Sequence, residues 1–286
     1  MSDPNAEAIE AWNTVLFDKF IHFRETWTRG ASVHGDAVME RHAPREGARV
    51  LDVGCGCGDT TLALAKRVGP KGEAVGIDAA PRFIDLAQRE ARELGVANAR
   101  FVVADPQKDD LGGPYDLVYS RFGTMFFASP VAALRSMRRA LVSGGKLAMV
   151  VWRRKDENAV YFDVEQRVLA IVPHAEKRED QVTCGPGPFS MASPDVVSAQ
   201  LKAAGFGRIA FERFDTEMLT GRSVDEAIEF ALAIGPAGEV MRLGGEEAVR
   251  RRPAVVASLR ELFESWSHDG AVRGACSSWI VSAVAV

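Results

Sequence analysis

The segment Val50-Leu51-Asp52-Val53-Gly54-Cys55-Gly56-Cys57-Gly58-Asp59 is the feature that most constrains the fold of this chain. An apolar run that is typical of a buried strand leads into three glycines at alternate positions, and a helical pattern follows directly. Glycine lets a ligand approach the backbone closely, and a helix N-terminus presents free N–H groups beside it. The segment therefore predicts a strand–loop–helix unit that binds a nucleotide-like ligand.

Strand-like and helical segments alternate after this unit, which predicts right-handed βαβ connections and a parallel sheet covered on both faces. The predicted strands are Arg49–Val53, Ala74–Ile77, Phe101–Val103, Leu117–Ser120, Lys146–Trp152, Arg208–Phe214 and Ser277–Val284. The predicted helices are Thr60–Arg67, Pro81–Glu93, Val131–Ala140, Ala159–Val172, Val224–Ile234 and Glu246–Ser267, with another between Ser193 and Gly205. Residues 1–45 also carry a helical pattern.

The composition is that of an ordinary globular protein, with 47% hydrophobic residues and a formal net charge of −4. That charge argues against nucleic acid or an anionic membrane as the main partner. The N-terminus lacks a signal-peptide pattern, and the longest apolar run is too short to span a bilayer. The four cysteines, including Cys184, favour reduced thiols over disulfides or a metal site. We therefore expect a cytoplasmic protein without a metal.

Three aspartates fall in or at the end of the first three predicted strands: Asp52, Asp78 and Asp105. Because the carboxyl ends of parallel strands meet at one edge, these carboxylates are expected to converge on one crevice. A carboxylate at Asp78 can accept hydrogen bonds from ribose hydroxyls, and one at Asp105 can accept from an adenine amino group. Asp59 stands where the dinucleotide fingerprint has glycine or alanine, which counts against NAD or FAD.

Five motifs in residues 46–152 resemble, in order and spacing, those of the class I S-adenosylmethionine-dependent methyltransferases. They are 51–58, 76–78, 104–107, 115–118 and 141–147. The chain is similar in particular to the ubiquinone/menaquinone C-methyltransferases (methyltransferase type 11), and 120–127 and 185–190 look like a bacterial branch of that group. The resemblance implies an α/β, Rossmann-like fold. Its seven-stranded sheet has the order 3-2-1-4-5-7-6 and is mostly parallel with an antiparallel strand 7, and it has helices on both faces and helical lid insertions.

The resemblance also implies a cofactor and a reaction. S-adenosylmethionine donates a methyl group in line to a small-molecule acceptor, and S-adenosylhomocysteine is the product. Asp78 is expected to hold the ribose, Asp105 the adenine, and the glycine-loop backbone the methionine part. The expected cofactor-binding residues are Asp52, Gly54, Cys55, Gly56, Gly58, Thr60, Asp78, Ala79, Ala104, Asp105, Pro106, Ser120 and Arg121.

Acceptor-binding residues are expected in the loops after the fourth and fifth strands and in the inserted segments. The candidates are Arg121, Phe122, Met125, Phe126, Trp152 and Phe189. Arg121 can hold an acidic group or close its loop through an ion pair, and the aromatic residues can line a pocket or simply fill the core. A general base is needed only if the acceptor must lose a proton. Catalytic candidates are Arg121 and His34, with His22 and His174 as further histidines in covering segments.

The predicted organisation is a single domain in three parts. Residues 1–45 form an N-terminal helical lid, or alternatively a helix packed on the sheet edge; 46–152 form the cofactor-binding core; and 153–286 complete the domain with substrate-side helices and the last two strands. Trp12, Phe20, Arg24 and Trp27 are the residues expected to close over the cofactor. Two other functions stay open: a nicotinamide-dependent oxidoreductase and a non-catalytic S-adenosylmethionine-binding protein. The oligomeric state is left open.

Overall fold

A single mixed sheet organises the computed structural model, which describes residues 5–172 and 186–286. The strand order is β3-β2-β1-β4-β5-β8-β6, and the short β7 pairs with β8. β8 runs antiparallel to β5 and β6, whereas the pairs from β3 to β5 are parallel. The strands are β1 Arg49–Val53, β2 Glu73–Asp78, β3 Ala99–Val103, β4 Tyr115–Arg121, β5 Leu141–Trp152, β6 Phe206–Gly221, β7 Ser267–His268 and β8 Ala271–Ala285. The predicted fold class and strand order are confirmed, with β7 as an addition.

Helices precede the first strand, connect the strands along the chain and lie between β6 and β7. They are α1 Ala6–Asn13, α2 Val15–His22, α3 Arg24–Arg41, α4 Asp59–Val68, α5 Pro81–Glu93, α6 Pro130–Arg139, α7 Ala159–Leu169, α8 Pro194–Ala203, α9 Val224–Ala233 and α10 Pro236–Ser265. Thr124–Phe126 and Lys155–Glu157 form single 3-10 turns. In the part of the chain that the structure describes, no helix has the length and apolar character needed to cross a membrane. Two residues considered above, His174 and Cys184, lie outside the described residues.

The largest differences from the predicted elements lie in the second half of the chain. β6 continues to Gly221 because it pairs with β8 along most of its length, although many of its side chains are polar and exposed. α10 consists of two helical stretches that meet at Gly245, whose φ of 52° and ψ of −131° are not helical. The second stretch begins at the predicted Glu246, whereas the first stretch, from Pro236, was not predicted. Pairing with β8 stabilises β6 through a partner that local sequence does not display.

The glycine loop between β1 and α4 is shaped by close packing beneath it. Gly58 has φ +87°, and a Cβ there would lie 2.7 Å from the Phe101 ring and 2.9 Å from Ala87. Gly56 also has a positive φ, of +53°, but nothing lies within 4 Å of its Cβ position. One glycine therefore serves the packing of α4 against β3 and α5, while the other leaves open space beside the loop.

Replacing Gly58 by alanine tests this packing, with Gly95→Ala as the matched control. Both glycines have positive φ, but a Cβ at Gly95 meets nothing within 4 Å. We expect Gly95→Ala to lower the free energy of unfolding by about 1 kcal/mol through backbone strain alone. Gly58→Ala adds overpacking, for a total loss of about 2–4 kcal/mol. Urea unfolding followed by circular dichroism measures both values, and equal losses would contradict the assigned packing role.

Candidate active site

The carboxyl end of β2 is joined directly to the glycine loop at the end of β1. The backbone N–H of Gly56 donates to Asp78 Oδ2 at 3.1 Å, and the N–H of Ala80 donates to Asp78 Oδ1 at 3.0 Å. Burial raises the pKa of Asp78, while the backbone N–H groups of Ala80, Gly56 and Ala79 act to lower it. A carboxylate has more acceptor positions than these bonds use. Asp78 is thus held beside the loop with capacity to accept from a ribose hydroxyl.

Asp52 lies below the loop and is 1% exposed. Its Oδ2 accepts hydrogen bonds from the hydroxyls of Thr60 at 2.5 Å and Thr61 at 2.7 Å, at the start of α4. Its Oδ1 is buried and has no hydrogen-bond partner among the described residues. Burial raises the pKa of Asp52 to about 6, against the lowering effects of the two threonines and Arg121. A buried acceptor without a donor is unusual in a folded protein and marks a place for one.

Asp105 follows β3 and is 4% exposed. Its Oδ1 accepts from the backbone N–H of Gln107 at 3.0 Å and from the Gln107 amide at 3.1 Å. Its Oδ2 accepts from the side-chain amide of Asn5 at 3.0 Å. This N-terminal contact spans 100 positions and left no signal in the sequence pattern. The carboxylate expected to receive an adenine amino group thus already receives an amide N–H from the N-terminus.

The N-terminal helices lie at this same edge of the sheet. The Trp12 ring meets Phe126 edge-on at 5.0 Å and lies 5.2 Å from Phe20, and Phe20 in turn meets Phe83 of α5. Arg24, at the start of α3, donates to Asp59 at 2.8 Å. It also pairs with Glu90 of α5, and these two acids raise its pKa. The α1–α3 segment therefore packs on the beginnings of α4 and α5.

The end of β4 carries Ser120 and Arg121, which face different surroundings. Ser120 is fully buried, and its hydroxyl donates to the Val53 carbonyl at 2.7 Å, which ties β4 to β1. Arg121 is partly exposed, and within 5–172 and 186–286 its guanidinium forms no hydrogen bond or ion pair. Its positive charge nevertheless lowers the pKa values of Asp52 and His34. The Ser120 hydroxyl therefore holds β4 against β1. The Arg121 guanidinium, in contrast, is available to pair with another group.

The predicted acceptor residues other than Arg121 form two groups. Phe122, Met125 and Trp152 are at most 5% exposed, and the Phe122 and Trp152 rings stack at 4.0 Å with an interplanar angle of 14°. Phe126 and Phe189 are partly exposed. Tyr161, which the sequence reasoning missed, meets the rings of both Trp152 and Phe189 edge-on. Ring contacts therefore join four residues in an aromatic layer whose stacked pair belongs to the core: Phe122, Trp152, Tyr161 and Phe189. Phe126 instead meets Trp12.

His34 is fully buried between α3 and β8. Its Nδ1 lies 2.8 Å from Ser278 Oγ and its Nε2 lies 3.2 Å from Cys276 Sγ. Burial, together with the charge of Arg121, lowers the pKa of His34 to about 4, and burial raises the pKa of the Cys276 thiol to about 12. Both ring nitrogens are therefore engaged and the ring is neutral. This geometry favours a packing role for His34 over that of a general base.

The fold and this edge define a Rossmann-like enzyme with a nucleotide cofactor site, and comparison with known proteins names its family. A profile of the methyltransferase domain family matches residues 44–191, which is more than half of the chain. The protein therefore belongs to this family and is a class I S-adenosylmethionine-dependent methyltransferase, as its motifs predict.

Two relatives show the range of the similarity. The aklanonic acid methyltransferase DauC of Streptomyces sp. (strain C5) is 35% identical over 115 residues, which cover 40% of this chain and 52% of DauC. The demethylmenaquinone methyltransferase of Staphylococcus carnosus (strain TM300) is 26% identical over 186 residues, covering 62% of this chain and 75% of that protein. The chain thus aligns with only about half the length of the first relative.

Two solved structures show the same fold. Protein BH2331 of Bacillus halodurans C-125 superposes with a TM-score of 0.55 at 17% identity, covering 87% of this chain and 97% of that one. The YcgJ protein of Bacillus subtilis gives a TM-score of 0.54 at 17% identity, covering 87% and 96%. The structural similarity therefore extends over most of the chain.

The neutral, buried state of His34 predicts a pH-dependent contribution to stability. A histidine titrates near pH 6.5 in an unfolded chain, so between about pH 6.5 and the folded value of about 4 the unfolded state binds more protons. The contribution is complete above pH 6.5 and is lost as the pH falls. We expect the stability difference between wild type and His34→Gln to shrink by about 2 kcal/mol from about pH 7 to about pH 5.

Urea unfolding of both proteins at the two pH values measures this difference. Asp52, whose raised pKa acts with the opposite sign, is present in both proteins and cancels from the comparison. A difference that does not change with pH would show that His34 is not held neutral by burial.

Proposed function

We propose that the protein transfers the methyl group of S-adenosylmethionine to a small-molecule acceptor by in-line displacement. The observation that carries this proposal is the convergence of the open glycine loop, Asp78 and Asp105 at one edge of the sheet. Ligands of open α/β sheets bind outside the carboxyl ends of the strands, where these groups lie. The two relatives named above are methyltransferases, which supports the same reaction class.

The residues present fit the cofactor in charge and shape. The space beside Gly56 admits a ligand close to the backbone, and Asp78 has acceptor capacity for the ribose. The unpaired Asp52 Oδ1 suits the ammonium group of the methionine part, since it is a buried acceptor without a donor. When bound, S-adenosylmethionine supplies an activated methyl group and a neutral leaving group. The chain's task is to orient the reactants and exclude water.

Apart from Arg121, the other proposed cofactor contacts follow the sequence prediction. They comprise the glycine loop with Cys55, then Thr60, Ala79, Ala104, Asp105, Pro106 and the backbone of Ser120. The buried Ser120 hydroxyl and the Thr60 hydroxyl act indirectly, because they bond to Val53 and Asp52. Among the acceptor residues, we propose that the partly exposed Phe126 and Phe189 contact the acceptor, while Phe122, Met125 and Trp152 support the wall behind them.

No observation favours the two alternative functions. The family is one of methyltransferases, and Asp59, at the position that the dinucleotide fingerprint keeps for glycine or alanine, is engaged by Arg24. The small-molecule acceptor is supported by the relatives' names, whereas a cytoplasmic location and the lack of a nucleic-acid partner stay predictions from composition.

Asp78→Ala tests the cofactor site, with Asp85→Ala on the exposed face of α5 as the matched control. Loss of the carboxylate removes the proposed hydrogen bonds to the ribose, and it also removes the acceptor of the Gly56 N–H. We expect affinity for S-adenosylhomocysteine to fall by about 10- to 100-fold, since charged hydrogen bonds contribute about 1.5–3 kcal/mol each. Titration calorimetry should show an unchanged affinity for Asp85→Ala. Unchanged binding by Asp78→Ala would sink the ribose assignment.

We also propose that Asn5 and the α1–α3 segment after it act as a lid, in which Asn5 releases Asp105 when adenine binds. The Asn5 amide and an adenine amino group are both neutral N–H donors, so they compete for the same carboxylate. We expect Asn5→Ala to bind S-adenosylhomocysteine about fivefold more tightly, as one hydrogen bond contributes about 1 kcal/mol. Calorimetry on a variant with the wild-type melting temperature measures this, and weaker binding would instead make Asn5 part of the adenine site.

A further inference from the structure

We propose that Arg121 binds an anionic oxygen group of the methyl acceptor, so that the acceptor reaches the site as an oxyanion such as a carboxylate. The inference deepens the proposed methyl transfer and rests on it. Arg121 differs from the other arginines near the site in its ion pairing. Arg24 pairs with Asp59 and Glu90, and Arg82 pairs with Asp18. Across the described ranges, Arg121 has no such acid.

The stem of Arg121 is held in place although its head is not paired. A Cβ at Gly35 of α3 would lie 2.9 Å from Arg121 Cδ and 3.0 Å from the Tyr119 hydroxyl, so α3 packs closely on the stem. Tyr119 Oη in turn donates to the Gly35 carbonyl at 3.4 Å. A guanidinium on a fixed stem loses less conformational entropy when it binds a planar anion. The packing therefore prepares Arg121 for a ligand.

The position of Arg121 places this charge between the two halves of the site. Arg121 follows Ser120, which is tied to Val53 at the end of β1, and precedes Phe122, which stacks on Trp152. Its charge lowers the pKa of Asp52 on the cofactor side and of His34 on the aromatic side. A group held by Arg121 thus lies at the junction of the glycine loop and the aromatic layer.

An anionic acceptor does not need a general base. This agrees with His34, the histidine that the structure describes beside the aromatic layer, since both of its ring nitrogens are engaged. An oxyanion uses its own electron pair to form the bond to the methyl carbon while the carbon–sulfur bond breaks. That bond's electrons go to sulfur, which becomes neutral, so the methyl ester or ether forms without any proton transfer. Arg121 positions the acceptor and keeps its charge.

The experiment uses the full chain saturated with S-adenosylhomocysteine and two probes of one shape, 2-naphthoate and the neutral 2-naphthamide. Calorimetry compares wild type, Arg121→Gln and the control Arg29→Gln, which replaces an exposed arginine of α3 that pairs with Glu25. We expect wild type and the control to prefer the acid by about tenfold or more, since a charge-assisted pair contributes about 1.5–3 kcal/mol. Arg121→Gln should lose that preference and leave the amide's affinity unchanged.

The outcomes separate the inference from the function on which it rests. If wild type binds the acid no better than the amide, or does not bind it, the inference is wrong while methyl transfer stands. If Arg121→Gln instead weakens binding of S-adenosylhomocysteine itself about tenfold, Arg121 holds the cofactor's own carboxylate and the inference is also wrong. If wild type fails to bind S-adenosylhomocysteine, the proposed function fails first. Arg121→Lys, which keeps the charge, should restore part of the preference for the acid.

Discussion

The close approach of the β1 and β4 ends is the constraint on which the rest of the site depends. A Cβ at Gly54 would lie 3.0 Å from Gly123 Cα, and a Cβ at Gly123 would lie 2.9 Å from the Val53 carbonyl. The Ser120 hydroxyl closes the same junction through that carbonyl. Because two backbones meet here without side chains between them, the glycine loop with Asp78 and the end of β4 with Arg121 come together at a single edge.

Electrostatics then divides this edge into two regions. Buried carboxylates surround the glycine loop, where a cofactor with an ammonium and a sulfonium group is favoured. Arg121 places a cation at the end of β4, where we propose that an anionic acceptor binds. His34, which the sequence made a catalytic candidate, instead joins α3 to β8 as a neutral ring. Its two engaged nitrogens favour a packing role over that of a base.

The sequence predicted the first half of the fold closely because local and global signals agree there. β1 and α5 have the predicted bounds, since an apolar run meets glycine in one case and Pro81 opens the helix in the other. β6 was predicted too short and the first stretch of α10 was not predicted, because pairing with β8 and packing on α7 stabilise them through distant partners. The Asn5–Asp105 and Tyr161–Trp152 contacts had no local signal for the same reason.

The sequence by itself determined the class of cofactor site, since glycine spacing and strand-end aspartates depend on residues near one another in the chain. Only the tertiary structure decided which polar atoms of these side chains remain available to a ligand. Within the described part of the chain, Asp52 keeps an unpaired oxygen, His34 has both nitrogens engaged, and Arg121 has a packed stem with an unpaired head. Hydrogen-bond partners come from elements that are far apart in sequence, so the availability of a polar group is a property of the folded chain.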